Sequence, residues 1–333
     1  GLFPWYSSER LAVRGYVEVL KKLPGLLWLR HRMVSRLKTL HPRVFIGVDA
    51  PDFNLSIETA LRREGIPVVH FVSPSIWAWR PERIETIRKA VDHMLLVFPF
   101  EEEIYKKAGI PATYIGHPLA GIIPMKPDPL TARAELGIDS HGEPVFAVLP
   151  GSRVDEVKGC GPIFFKACVC IVKRIKAGFF VIPAMDDARR AQIEKVAAGY
   201  PELTGRVKVV TGQSHKVLEA SDGVMVASGT AALEAALYKK PVVGYVMPGL
   251  TALLMKKKGL IPYVSLPNIL SGRIVVPEFL QYYCTPDALA ARLLDEMAPE
   301  RRAELTTLFT DMHRSLLRPT ADLATNAILS VMK

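Results

Sequence analysis

Short, β-branched apolar runs alternate along this chain with longer stretches of helical spacing. The runs fall at 44–48, 68–72, 94–98, 113–115, 145–149, 179–182, 207–210, 224–227 and 242–246. Most are apolar throughout and do not alternate with polar residues, as expected of strands covered on both faces. Between them, 56–64, 83–90, 188–197 and 230–238 carry helical periodicity. Strand–helix units repeated in this way predict right-handed βαβ crossovers and a parallel sheet, so the fold class is α/β.

One connection breaks the rhythm. Residues 117–144, HPLAGIIPMKPDPLTARAELGIDSHGEP, hold five prolines and a short helix. The proline-rich first part predicts an interdomain linker. About four strands precede it and five or six follow, which predicts two Rossmann-like, doubly wound parallel-sheet domains. Their boundaries are expected at 1–125 and 126–310, with 311–333 as a C-terminal helix packing back toward the first domain. Two such domains facing each other across a cleft let strand-end loops from both sheets converge on a ligand.

Composition narrows this little. The chain is 49% hydrophobic, as globular proteins are, and no apolar run reaches the ~18 residues of a transmembrane helix. Cys160, Cys168, Cys170 and Cys284 form no C-x-x-C pair, and three sit in an apolar stretch, where they read as small buried hydrophobes of a reducing compartment. The chain opens at Gly1 and not Met, so the lack of a leader is no guide to targeting. The formal charge of +10 calls for an anionic partner. From Lys21 to Arg43 there are seven Lys or Arg and no Asp or Glu. That stretch lacks the pattern of any nucleic-acid module, so nucleic acid is not the expected partner.

Four strand-end loops carry the candidate chemistry. In VFIGVDAPDFN (44–54), Asp49 lies nearest the strand tip, where a carboxylate is well placed for acid/base work. Asp52 and Asn54 follow, either in the site or as caps of the next helix. The chain has no D-x-D motif, and no metal is expected. In VSPSIWAWRPER (72–83), Ser73, Ser75, Trp77, Trp79 and Arg80 follow a strand directly, and the two indoles either line a site or fill the core. In LPGSRVDEV (149–157), Gly151 lets the backbone approach a phosphate, Ser152 offers a hydroxyl and Arg153 a charged fork. Neither a Walker loop nor a G-x-G-x-x-G fingerprint is present. In ASGTAALEAAL (227–237), Ser228, Gly229 and Thr230 open a helix whose free amides favour a diphosphate. Glu234, one turn on, either binds ribose hydroxyls or completes a capping box. YVSLPNILSGR (263–273) adds Asn268 and Arg273, and His117 ends the fourth strand, either serving the cleft or capping a turn.

Residues 16–40, YVEVLKKLPGLLWLRHRMVSRLKTL, mix Leu23, Leu26, Leu27, Trp28 and Met33 with Arg30, Arg32 and Arg36. A basic, apolar, Trp-bearing helix of this kind lies in a membrane interface or buries one face in the α/β layer. Lys256, Lys257 and Lys258, after the apolar segment 250–255, add to the same attraction.

Taken together, LAVRGYVEVL, VFIGVDAPDFN, HFVSPSIWAWR, YIGHPLA, LPGSRVDEV, ASGTAALEAAL and YVSLPNILSGR resemble the lipid-A-disaccharide synthases, in the order they take in that family and across nearly the whole chain. The resemblance implies a metal-independent, inverting GT-B glycosyltransferase. It would join UDP-2,3-diacylglucosamine to 2,3-diacylglucosamine 1-phosphate, giving the β-1,6-linked disaccharide 1-phosphate and UDP. It implies Asp49 as general base on the acceptor 6-hydroxyl. Arg153 and the amides near Gly151, Ser152 and Ser228–Thr230 would stabilise the leaving diphosphate, and Glu234 would hold the ribose. Asn268 would help hold the nucleotide sugar, with Asp52, Asn54, Ser75, Trp77, Arg80 and His117 around the acceptor. Acylated substrates imply a peripheral enzyme on the cytoplasmic face of a bacterial inner membrane, docked through 16–40 on anionic lipid. The first domain would take the acceptor and the second the UDP-sugar.

Two departures qualify these expectations. Family members begin with a strand and a G-E-x-S-G-D loop ahead of the match to Leu11, and neither is found here, so the first sheet is expected to lack its leading strands and part of the acceptor site. The family's Asp after G-H-x-x-A is Gly121 here. The alternatives are a truncated chain that binds UDP and membrane without turnover, another GT-B glycosyltransferase, or a UDP-sugar epimerase.

Overall fold

In a computed structural model, residues 3–6, 16–227, 229–246, 260–280 and 284–332 are described. The chain forms two compact units, 1–116 with 319–333, and 117–318.

The first unit holds four parallel strands in the order β1 (Phe45–Val48), β2 (Val68–Phe71), β3 (His93–Leu96) and β4 (Ala112–Tyr114). The helices α1 (Tyr16–Leu40), α2 (Pro51–Arg62), α3 (Ile84–Ala90) and α4 (Glu101–Ala108) accompany them. Because side chains alternate along a strand, Val68, Met94 and Leu96 face one side. There they pack with Leu37, Ile57, Leu61, Ile87 and Tyr105. Val69 and Leu95 face the other side and are covered by the last helix of the chain (Thr320–Val331), through Leu323, Ala327 and Ile328. Around β2 and β3 both faces are covered, as their unbroken apolar runs suggest, whereas β1 leaves Ile46 and Val48 exposed.

The second unit contains α5 (Pro118–Ile122), α6 (Pro129–Glu135), β5 (Val145–Leu149), α7 (Val154–Ile175), β6 (Phe179–Ala184), α8 (Asp187–Ala197) and β7 (Val207–Thr211). It continues with α9 (Ser214–Ala220), β8 (Gly223–Ala227), α10 (Thr230–Leu237), β9 (Val242–Val246), α11 (Leu266–Ser271), β10 (Glu278–Leu280), α12 (Pro286–Glu296) and α13 (Pro299–Leu316). The helix at Thr320–Val331, which returns to the first unit, is α14. All six strands are parallel, in the order β10-β9-β8-β5-β6-β7. The core between sheet and helices is built on Phe146, Phe164, Phe165, Phe180, Ile182 and Leu293. Cys160, Cys168 and Cys284 are buried in it and all four cysteines are free thiols.

The boundaries differ from those read in the sequence. The first unit ends at Gly116, because His117 N–H bonds Leu316 O (3.0 Å) and buried His313 bonds Ala120 O (2.8 Å). The proline-rich stretch therefore opens as α5 within the second unit. Helix α13 runs unbroken through residue 311 to Leu316, and only 319–333 rejoins the first unit. The helix expected from residue 56 begins at Pro51, whose fixed φ suits a first helical position. Strand β10 was not among the expected runs, being three residues long with an acidic first position.

The first unit buries a hydrogen-bonded Glu–His pair. Glu58 of α2 and His70 of β2 are both fully buried, with His70 Nδ1 2.6 Å from Glu58 Oε1. The pair fits because β1 carries Gly47 opposite it; a Cβ there would lie 1.8 Å from Glu58 Oε1. Overpacking costs about 1–3 kcal/mol, and leaving a buried polar group without its partner costs about as much again. Gly47→Ala is therefore expected to lower unfolding free energy by about 3 kcal/mol in urea titration. Gly25→Ala, in the open α1 helix with nothing within 4 Å of the new Cβ, should raise it by about 0.5–1 kcal/mol. Equal effects at the two positions would contradict this packing.

Candidate active site

At the carboxyl end of β1, Asp49 donates its N–H to Phe71 O (2.9 Å) and then turns, with φ 49° at Asp49 and 43° at Ala50. Asp tolerates the left-handed region better than most residues, but Ala does not. Asn54 holds this turn, its side-chain amide donating to Val48 O (3.1 Å) and Asp49 O (2.8 Å). Asn54 is thus a brace and not a cap; the N-cap of α2 is Ala50, without a side-chain bond. Asp52 is exposed and pairs with Arg83 beyond β2. The Asp49 carboxylate is exposed and bonds none of the described residues.

The loop after β2 starts at Val72, a β-branched residue with φ 78°, and ends at Arg80, with φ 55°. A β-branched residue in this region is strained, so the surroundings must hold it. Ser73 is buried, 2.8 Å from the Tyr105 hydroxyl. Trp77 donates its indole N–H to Glu101 Oε1 (3.1 Å), while Glu101 Oε2 accepts the Phe98 N–H (3.1 Å). Trp77 also meets Phe100 edge-on at 5.2 Å. This indole is largely structural, fastening one strand-end loop to the next. Ser75 is exposed and makes the turn, its carbonyl accepting from Ala78 and Trp79, and Arg80 lies 4.2 Å over the Trp79 ring. Ser73, Glu101 and Tyr105 are the polar centre of this loop. Glu101 was missed because it opens a Glu-Glu-Glu run that reads as an ordinary acidic first turn.

His117, in the second unit, caps α5 through Nδ1, which accepts from Leu119 N–H (3.2 Å). Burial pushes its pKa down to about 4, so it is neutral at physiological pH.

In the second sheet the strand order reverses between β5 and β8, which pair so that Leu149 lies opposite Val226. Residues 150–153 and the start of α10 at 229–230 therefore follow neighbouring strand ends, at the point where α/β sheets bind ligands. Gly151 has φ 114°, and a Cβ there would lie 2.4 Å from the Glu156 Cβ. Glu156 was not singled out in the sequence, yet its carboxylate accepts the N–H groups of Ser152 (2.9 Å) and Arg153 (3.2 Å) and the Arg153 guanidinium (2.6 Å). It supplies the negative charge that the start of α7 attracts, so these donors are already engaged.

Gly229 and Thr230 are exposed at the start of α10, and Ser228 lies outside the described residues. Glu234 is half-buried, its pKa raised by burial against the pull of His215, which lies 3.6 Å away. Asn268 departs from expectation. It is fully buried, donating to Val276 O (2.8 Å) and accepting from Val275 N–H (2.7 Å) and Val276 N–H (2.8 Å). With its amide committed to the main chain, it shapes the loop instead of meeting a ligand. Arg273 is exposed.

Helix α1 divides by face. Leu29 and Leu37 are buried and Met33 packs on the same core, so Met33 belongs to the interior and not to the docking surface. Arg30, half-buried, donates to Ser56 Oγ (3.1 Å), and Leu26 is half-buried. Leu23, Leu27 and Trp28 are 38%, 44% and 50% exposed, and Arg32 and Arg36 are exposed. Residues 247–259, including Lys256–Lys258, lie outside the described residues. Among the described residues, no helix is long and apolar enough to cross a membrane, and no three His, Cys, Asp or Glu cluster as metal ligands.

Two Rossmann-like units of parallel strands place the chain with the GT-B architecture of nucleotide-sugar glycosyltransferases. Solved structures of similar fold include a UDP-GlcNAc 2-epimerase from Neisseria meningitidis bound to UDP-GlcNAc (TM-score 0.61, 11% identity, 96% of this chain and 84% of that one). Another is a UDP-forming α,α-trehalose-phosphate synthase from Burkholderia xenovorans in complex with glucose-6-phosphate (TM-score 0.56, 13% identity, 94% and 79%). A family model described as lipid-A-disaccharide synthetase matches residues 1–331, and the chain belongs to that family. It is 52% identical over 335 residues to lipid-A-disaccharide synthase of Cupriavidus pinatubonensis (strain JMP 134 / LMG 1197), covering 100% of this chain and 83% of the relative. It is also 52% identical over 313 residues to that of Thiobacillus denitrificans (strain ATCC 25259 / T1), covering 93% and 83%.

The buried Glu101 generates a pH prediction. Desolvation raises its pKa from 4.5 to about 7 against the Phe98, Trp77 and Ser73 donors. Between these values the folded chain holds a proton that the unfolded chain has released, so stability falls as pH rises through the window and levels off above it. At 1.36 kcal/mol per unit the loss is on the order of 3 kcal/mol. Glu101→Gln cannot titrate, so wild type should lose about that much relative to the variant between about pH 4 and pH 8. Parallel stability–pH curves for the two proteins would contradict the assignment.

Proposed function

We propose that the chain transfers the sugar of UDP-2,3-diacylglucosamine to the 6-hydroxyl of 2,3-diacylglucosamine 1-phosphate, releasing UDP and forming the β-1,6 disaccharide 1-phosphate. The observation that carries this reading is the family match over residues 1–331, which includes every strand-end loop described above.

Asp49 acts as general base. Its carboxylate projects from a braced turn and is free of described partners, as a proton acceptor for an incoming hydroxyl must be. The acceptor oxygen gives its proton to Asp49 and attacks the anomeric carbon as the bond to the UDP oxygen breaks. Attack from the face opposite the leaving group inverts the centre without a covalent intermediate. The negative charge that develops on UDP is met by Arg153 and by amides around Gly151–Ser152 and Gly229–Thr230. Glu156 must yield these donors when the diphosphate arrives. Glu234 receives the ribose hydroxyls, and Ser228 belongs to the same loop. No metal takes part in this scheme, since cationic and amide donors provide the charge. Ser75 and Arg80 border the acceptor, while Trp77 holds the loop that carries them.

The exposed Leu23, Leu27 and Trp28, continued by Arg32 and Arg36, form the surface that rests on an anionic membrane to collect acylated substrates. The protein is then peripheral, on the cytoplasmic face of the inner membrane.

Asp49→Asn should lower kcat by about 10²–10⁴-fold with little change in KM or thermal stability, because the side chain is exposed. Release of UDP from the two substrates should continue in excess chelator. A fully active Asp49→Asn would remove the base, and turnover abolished by chelator would remove the metal-free scheme.

A further inference from the structure

Helices α9 and α10 both begin at the carboxyl edge of the second sheet, because each follows a strand of the same parallel set. His215, the second residue of α9, is half-buried and reaches across to Glu234, one turn into α10. Its Nε2 stands 3.6 Å from Glu234 Oε2, and its ring meets Tyr238 edge-on at 6.0 Å. Glu234 and Tyr238 are four residues apart and share a face, and the Tyr238 N–H closes that turn on Glu234 O (3.0 Å). The imidazole is thus held at two points along one side of α10.

The distance sets the kind of interaction. At 3.6 Å it is longer than a hydrogen bond, so His215 acts on the carboxylate through its field and takes up neither oxygen. Burial works the other way, raising the pKa of Glu234 toward a neutral acid, and His215 opposes that shift. The opposition matters for a diol. Two vicinal hydroxyls donate two O–H bonds, which an ionised carboxylate accepts one per oxygen; a protonated carboxyl turns one of those oxygens into a donor. Lys216, the next residue of α9, is paired with Glu135, so His215 is the group of α9 that faces Glu234.

We propose that His215 is a positioning residue for the nucleotide, holding Glu234 as a two-oxygen acceptor so that the site selects ribose over a sugar that lacks its hydroxyls. The proposal rests on Glu234 receiving the ribose, and it names the group that fits Glu234 for that task.

The test is calorimetric binding of UDP and of 2′,3′-dideoxyuridine diphosphate to the full chain. Wild type should bind UDP about 10–100-fold more tightly, as expected for hydroxyls on a charged acceptor. Glu234→Ala should bring the ratio close to one. His215→Ala should cut it to a few-fold by weakening UDP alone, with the dideoxy nucleotide bound as before. The apolar side of α9, through Val217, Leu218 and Ala220, is untouched by this change. His215→Gln, which returns an N–H near the place of Nε2, should restore most of the ratio. A wild type that does not discriminate, or a Glu234→Ala variant that still does, overturns the ribose reading and this proposal with it. If Glu234→Ala removes discrimination while His215→Ala keeps it, or weakens both nucleotides alike, the ribose reading stands and the role of His215 falls. A glutamine variant no better than alanine also removes that role.

Discussion

Strand β8 adds to the second sheet beside β5, on the side away from β6, so the winding of the chain reverses at that pair. Every feature of the candidate donor site follows from this neighbourhood. The ends of two central strands coincide in register, and two loops far apart in sequence come out together. Neither helix has to be polar along its length; it is enough that α7 and α10 both begin at the same edge. The cores beneath, built on Phe146, Phe164 and Phe180, keep those beginnings fixed. A flexible loop would lose much of its binding energy in becoming ordered, and these start from packed strands.

The first unit solves a different problem. Its candidate base sits on a turn made of two residues in left-handed conformation, which the local sequence alone would not favour. Support comes from several directions: the Asn54 amide from within α2, the Asp52–Arg83 ion pair from the neighbouring loop, and the Glu58–His70 pair below, admitted by Gly47. The next loop is held by Ser73, Tyr105 and the Glu101–Trp77 bond. Polar groups that look reactive in the sequence thus divide into those that stay exposed, such as Asp49, and those consumed in holding them.

That division marks the limit of what could be read before the structure. Continuous apolar strands, the α/β class, the two sheets and the strand-end loops were legible because burial on both faces leaves a one-dimensional signature. The return of a C-terminal helix to the first domain was legible too, but the bounds of the two units were not, since they depend on His117 joining Leu316 within the second unit. Asn268 and Glu101 were misjudged or missed for the same reason. Whether an amide or carboxylate faces solvent or main chain is set by residues that meet only in three dimensions. Met33 carried an ambiguity of its own kind, an apolar residue on a helix with apolar positions on two faces, of which one meets the core.

The covering of the first sheet by α14 bears on the order in which the protein is made. Val69, Leu95 and Ile115 are synthesised early, yet the residues that seal them, Leu323, Ala327 and Ile328, leave the ribosome only after the whole second unit. During translation one face of the first sheet stays open while some two hundred further residues are added. The second unit has both of its ends within one segment and can fold unaided in that interval. The first unit closes last, so a ribosome stalled late would release a chain with a folded second unit and an exposed apolar sheet.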